Sequence, residues 1–134
     1  MSKKLLLIGA ILGALSVALG AFAAHSLKKF VPAETVNTFE TGVRYQFYHT
    51  FATMITGLLG FRIQNSLLKW AGNCFIIGII LFSGSLYLLT ALKATETVGL
   101  EGIGIITPIG GLFFIAGWLL MFFGILKYRP QQMG

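Results

Sequence analysis

The chain has one cysteine, three prolines, four acidic residues and no aspartate in 134 residues. With Cys74 alone, an intrachain disulfide and a cysteine-rich zinc or iron–sulfur centre are excluded. Charge of either sign is also scarce, at 10% against about 25% in soluble domains. With 56% hydrophobic residues and a mean hydropathy of +0.84, the chain lacks the polar surface needed to sit in water. The same figures exclude intrinsic disorder, and the length excludes a two-domain enzyme. One compact unit in lipid remains. Also missing are a Ser-His-Asp order, an HExxH helix and a phosphate-binding loop. The expectation is therefore no enzyme, no catalytic residue, no cofactor and no metal site.

Long uncharged runs set the architecture. Residues 5–24, between Lys4 and His25, would make a helix of about 30 Å, the thickness of a hydrocarbon core. The run between Arg44 and Arg62 is shorter and, with the turn before it, predicts a span over 43–61. Residues 70–92, between Lys69 and Lys93, are enough to cross with some tilt. In the run from Gly102 to Leu126, Thr107-Pro108 reads as an N-cap followed by proline at the first helical position, which predicts a span over 107–126. Pro32 opens a further helical stretch with Glu34 in its first turn and Val36, Phe39 and Val43 at helical spacing. The expected fold is all-α: one membrane domain over 1–134, a bundle of four transmembrane helices with a short interfacial helix over 32–42 before the second. Lys3-Lys4, the apolar run and Ala21-Phe22-Ala23 also imitate a secretory signal peptide. The three spans that follow favour a retained helix.

Four spans put the N-terminus, the loop after the second span and the C-terminus on one side, with Lys3, Lys4, Arg62, Lys69, Lys127 and Arg129 and no acid. The other side carries Lys28, Lys29, Arg44 and Lys93 against Glu34, Glu40, Glu96 and Glu101. The positive-inside rule then places both termini in the cytoplasm of a cell-membrane protein. This accounts for the net charge of +6 without nucleic acid. The basic set reads first as topogenic and solvated, with anionic-lipid binding as the alternative.

Helical phase sorts side chains by size and polarity. On the first span Gly9, Gly13, Ser16, Gly20 and Ala24 share an arc of about 80°. Ala71, Cys74, Gly78 and Ser85 repeat the pattern on the third, and Gly110, Gly117 and Gly124 recur every seven residues on the fourth. Lipid gives no hydrophobic drive for helix association, so small residues mark seams where backbones approach closely. Packing within the chain is the first reading of these seams and a homo-oligomer contact the second. The second span differs: Tyr45, Gln46, His49, Thr53 and Thr56, with Gly57 and Gly60, are expected to face the bundle, and Phe47, Phe51, Met54 and Leu58 to face away. Polar groups in hydrocarbon require partners, and Ser16, Ser83 and Ser85 are candidates. Glu40 and Arg44 are spaced to pair on one face at the boundary, beside Tyr48.

Several stretches together resemble one family: Gly20-Ala-Phe-Ala-Ala-His25, Phe39-Glu-Thr-Gly-Val-Arg-Tyr-Gln-Phe-Tyr-His-Thr50, Phe82-Ser-Gly-Ser-Leu-Tyr87, Thr107-Pro-Ile-Gly-Gly111 and Gly117-Trp118. The chain resembles the YgdD/YwdK family of small membrane proteins over nearly its whole length. Where the family pattern carries glycine before Ala-His this chain has Ala23, which bears on local packing alone. The resemblance implies a four-helix integral membrane protein and no assigned reaction.

The candidate polar cluster is His25, Glu40, Arg44, Tyr45, Gln46, Tyr48, His49 and Thr53. If His25 and His49 met, they could ligate haem or a metal, or change charge near neutral pH. Against ligation, His25 ends one helix, His49 lies a turn inside another, and no carboxylate is indicated beside them. A small channel or transporter, possibly oligomeric, could use the polar stripe, but the stripe fades beyond Thr56 into glycine and leucine. The leading expectation is a non-enzymatic structural or accessory factor in membrane organisation or stability. Its partners would be membrane lipids and a second copy or another membrane protein, and its polar cluster would fix helix register.

Overall fold

The computed structural model describes residues 1–130; of Glu101, counted above among the acids, the backbone alone is described. The described residues form four helical rods. These are α1 (Ser2–His25), α2 (Ala33–Leu59), a third rod of α3 (Ser66–Gly78), a π-helical turn Ile79–Ser83 and α4 (Gly84–Ala94), and α5 (Ile106–Leu126). Three stretches, Ser2–Lys29, Ser66–Ala94 and Gly102–Leu126, are long and apolar enough to cross a membrane. α2 has the length, but Glu34, Glu40 and Arg44 lie within its first four turns.

Two helix starts correct the sequence reading. The segment 32–42 is no separate interfacial helix: Pro32 is the N-cap of α2, which then runs unbroken to Leu59. No residue between Pro32 and Leu59 is a proline, and the glycines there are seated under neighbours, so nothing breaks the ladder. Likewise α5 begins at Ile106, ahead of Thr107-Pro108, and grows out of a 3-10 turn Glu101–Ile105. Pro108 then lies inside the first turn, where backbone N–H groups have no intrahelical acceptor and proline sacrifices nothing. The Thr107 hydroxyl meets Ser85 Oγ on the third rod at 2.6 Å instead of capping.

Each rod packs chiefly on the next: α1 on α2, α2 on the third rod, the third rod on α5. The glycine seams predicted from spacing are the contact lines, and they run within the chain. Gly9 lies under Met54, Gly13 under Thr50 and Gly20 under Val43, so α1 runs antiparallel to α2. Between the third rod and α5 the fit is reciprocal. Gly124 receives Leu68, Gly117 receives Phe75 and Gly110 receives Phe82, while Gly78 in turn receives Phe114. Both partners advance by seven residues, so large side chains of one rod meet glycines of the other at every second turn. At Gly110 a Cβ would meet the Phe82 backbone itself, at the π-helical turn. These glycines are therefore covered by their own chain.

Two apolar clusters close the ends of the bundle. Ala52, Ile63, Leu68, Ala71, Phe75 and Met121 form one, and Ala23, Leu27, Val31, Phe39 and Val43 the other. Alongside them α2 contributes a polar layer.

Candidate functional site

The polar layer is built from α2 outward. Gln46, His49, Thr50, Thr53 and Thr56 are all buried. Thr53 and Thr56 donate to the carbonyls one turn earlier, His49 O and Ala52 O, each at 2.7 Å. Gln46 ties three rods together. Its Nε2 donates to Leu12 O on α1 at 3.2 Å, a carbonyl that also accepts Ser16 Oγ, and its Oε1 accepts the Tyr87 hydroxyl of α4 at 2.7 Å. Close by, Ser83 Oγ in the π-helical turn donates to Gly42 O of α2 at 2.7 Å. The three serines anticipated as partners of the stripe side chains bond elsewhere: Ser16 to Leu12 O of its own helix, Ser83 to the Gly42 carbonyl, and Ser85 to Phe82 O and the Thr107 hydroxyl.

His49 points to the other side of α2, toward α5. Trp118 Nε1–H donates to His49 Nε2 at 3.2 Å, and His49 Nδ1 lies 2.7 Å from Tyr45 O. An indole nitrogen only donates and a carbonyl only accepts, so Nε2 is bare and Nδ1 carries the proton. The ring is neutral, with one tautomer selected by its neighbours. It stacks on Phe114 at a centroid distance of 3.5 Å and 7° between planes. This arrangement clamps α2 to α5; for His49 to take up a proton, Trp118 would have to release it.

A cleft of about 490 Å³ opens beside this clamp, lined by Tyr45, His49, Phe82, Pro108, Leu112 and Trp118. Its walls are aromatic and aliphatic, and its rim is on the outer surface, where Leu112 is 64% and Trp118 46% exposed. A cleft of this kind suits a hydrocarbon chain or an apolar side chain better than a solute.

The sequence-predicted cluster divides. Gln46, His49 and Thr53 are inside, as expected. Tyr45 is not: it is 39% exposed, its ring lying on Phe82 at the cleft rim. Tyr48 and Arg44 are exposed, and Glu40 is half-buried. Arg44 donates to Thr41 Oγ1 at 3.0 Å and, among the described residues, makes no ion pair with Glu40. A Thr hydroxyl one turn back on the same exposed face satisfies the guanidinium without fixing two long side chains. His25 and His49 do not meet. His25 lies beyond the Gly20–Val43 contact at one end of α1, and His49 lies six residues inward of Val43, which separates them by about 16 Å along the helices. Among the described residues no three of His, Cys, Asp or Glu come together as a metal site.

Phe47 and Met54, expected to face away, are partly covered: Phe47 packs against the Ala23 cluster and Met54 sits on Gly9. Thr50, not singled out by phase, is buried with its hydroxyl unpartnered. Three further residues of the layer, Tyr87, Phe114 and Trp118, were not assigned a role. For Tyr87 and Trp118 the signal is the need of a phenol or indole in an apolar helix for a polar partner; Phe114 carries none.

Residues 19–111 match the family described as "Protein of unknown function (DUF423)". The chain is 39% identical over 129 residues to a UPF0382 membrane protein of Haemophilus influenzae, covering 96% of this chain and 98% of that one. It is 35% identical to the UPF0382 membrane protein YwdK of Bacillus subtilis, covering 94% and 98% of the two chains. It is 36% identical to the UPF0382 inner membrane protein YgdD of Escherichia coli, covering 97% and 95%. No solved structure matches the chain.

Proposed function

The chain belongs to the DUF423 family, whose relatives carry the name UPF0382 membrane protein, and from that premise we propose a non-enzymatic accessory protein that organises or stabilises the cell membrane or a partner within it. All four rods cross in this reading. α2 lies along α1 from Gly57 to Val43, so a membrane that holds α1 also holds α2. Both termini are cytoplasmic, because the six-to-zero basic asymmetry falls on their side. The relative in Escherichia coli is named an inner membrane protein, which suits the same location.

The observation that carries the proposal is where the polar stripe ends. Gln46 and His49 bond to neighbouring rods and Thr53 and Thr56 to carbonyls of α2 itself; among the described residues the one buried side-chain polar atom without a partner is Thr50 Oγ1, which makes no row of free groups for a solute. Such a layer acts as a register lock between rods. The channel or transporter reading receives less support from it. Partners in the accessory reading are membrane lipids and a second copy or another membrane protein. With Gly9, Gly78, Gly110, Gly117 and Gly124 covered internally, a protein partner would use other surfaces, of which the cleft beside Trp118 is the most contoured.

A deletion strain tests this. General fragility, read as dye entry and detergent sensitivity and reversed by the wild-type chain, is the expected result. Loss of one solute flux with an otherwise intact barrier would overturn the reading in favour of transport.

A further inference from the structure

The turn from α2 to α3 is fastened to the end of α5. Asn65 accepts from Leu68 N at 3.0 Å, capping α3, and its Nδ2 donates to Gly124 O at 2.9 Å. This link gathers Arg62, Lys127 and Arg129 around one cavity of about 740 Å³, with Gln64, Asn65 and Tyr128 completing its polar wall. A second cavity of about 390 Å³ shares Gln64 and Asn65 and adds Lys69 and Ser2. Among the described residues neither has a carboxylate in its lining. The segments at the far end of the bundle carry Lys28, Lys29 and Lys93 together with Glu34 and Glu96.

We propose that this basic cavity holds the phosphodiester headgroup of an anionic phospholipid. Two guanidinium groups and an ammonium around one opening match a phosphate, arginine by paired hydrogen bonds and lysine as a point charge. The source is a lipid and not a soluble anion because of what borders the opening. Arg62 follows the end of α2 by three residues and Lys127 caps α5, so the charges stand where the apolar rods stop. Phe61, Trp70 and Leu126 are exposed beside them, an apolar and aromatic skin of the kind found at the headgroup level. Basic pockets between helix ends on the cytoplasmic side are suited to such headgroups. The proposal deepens the accessory reading and rests on it for placing this end at the lipid–water boundary.

The test uses the full chain purified in mild detergent, with native mass spectrometry of lipid adducts in matched additions of phosphatidylethanolamine, phosphatidylglycerol and cardiolipin. Wild type should retain the two anionic lipids in preference to phosphatidylethanolamine. Arg62→Gln, Lys127→Gln and Arg129→Gln together should weaken that preference by about fivefold for each charge removed. Lys28→Gln, Lys29→Gln and Lys93→Gln together, an equal change in net charge, should leave it unaltered. No preference in wild type, or an equal loss in both triple variants, would overturn the proposal. So would displacement of the lipid by inorganic phosphate at comparable concentration, which would make the site one for a soluble anion. Should the first triple variant fail to fold, Arg129→Gln alone, outside every rod, decides: an unchanged preference rejects the site. Because binding is read on purified protein, its failure is distinct from the absence of a fragile deletion strain.

Discussion

Along the seam between the third rod and α5, contact is made by Leu68, Phe75, Phe82 and Phe114 seated over glycines; along α2 it is made by Gln46, His49 and Ser83 through hydrogen bonds to neighbouring rods. Both solve one problem, that lipid supplies no hydrophobic drive to hold rods together. The seam relies on shape and repeats every seven residues, so it fixes an axis but tolerates a slide by one repeat. The polar layer does not repeat. Gln46 has one partner on α1 and another on α4, and His49 one on α5, so a slide would strand donors and acceptors in hydrocarbon. Shape gives this bundle adhesion, and the hydrogen bonds give it register.

Breaking the seam should have the largest effect. Gly110→Ala places a Cβ against the Phe82 backbone, which cannot rotate away, whereas Gly84→Ala on the facing rod meets nothing within 4 Å. We expect Gly110→Ala to lower stability by about 3 kcal/mol or more and to cut folded yield sharply. Gly84→Ala should be neutral or mildly stabilising, because it removes a flexible residue from a helix interior. Thermal unfolding in detergent compares the two, and equal tolerance would mean the seam is looser than described.

Removing one member of the Gln46 link comes next. Gln46→Leu takes the acceptor from the Tyr87 hydroxyl, while Leu12 O keeps Ser16 Oγ, and should cost about 1 to 3 kcal/mol. Tyr87→Phe should cost less, since Gln46 keeps its bond to α1. The double variant should be less than additive, by about 0.5 kcal/mol or more. Strict additivity would show that the two side chains do not sense each other.

The smallest of these effects is expected at the clamp. His49→Leu frees the Trp118 indole and should cost about 1 to 2 kcal/mol, with a change in Trp118 emission. Tyr48→Leu, on the exposed face one residue away, should change neither stability nor emission.

Much of this contrast was legible in the sequence. The uncharged runs located the rods, and the seven-residue glycine spacing on α5 located the seam. Phase on α2 also gave Gln46, His49 and Thr53 their inward direction. What phase could not give is how many sides of α2 are covered. α1 packs on one side and the third rod on the other, with Phe114 and Trp118 of α5 reaching in to His49, so the buried arc is wider than the polar stripe and takes in Thr50, Phe47 and Met54. Tyr45 was misread for a related reason: a helix phase defines neighbours on one rod, and the gap between α2 and α5 that leaves Tyr45 at a cleft rim belongs to two. Whether His25 and His49 meet stays open in the sequence, because loop counting puts both toward one membrane side, which sets a half of the bilayer but not a depth within it.

In this bundle the α2 polar groups are an internal lock without access to water. Thiol accessibility in a Cys74→Ser background tests it most directly, with Thr53→Cys and Thr56→Cys as close replacements inside the layer, and Asn37→Cys and Gln64→Cys as exposed markers of the two ends. In intact cells, an impermeant reagent should label the position 37 thiol alone, the position 64 thiol only after the membrane is opened, and neither thiol of the layer under either condition. Labelling at 53 and 56 from either side, in protein that remains folded, would contradict the account and reveal a water-filled path along α2.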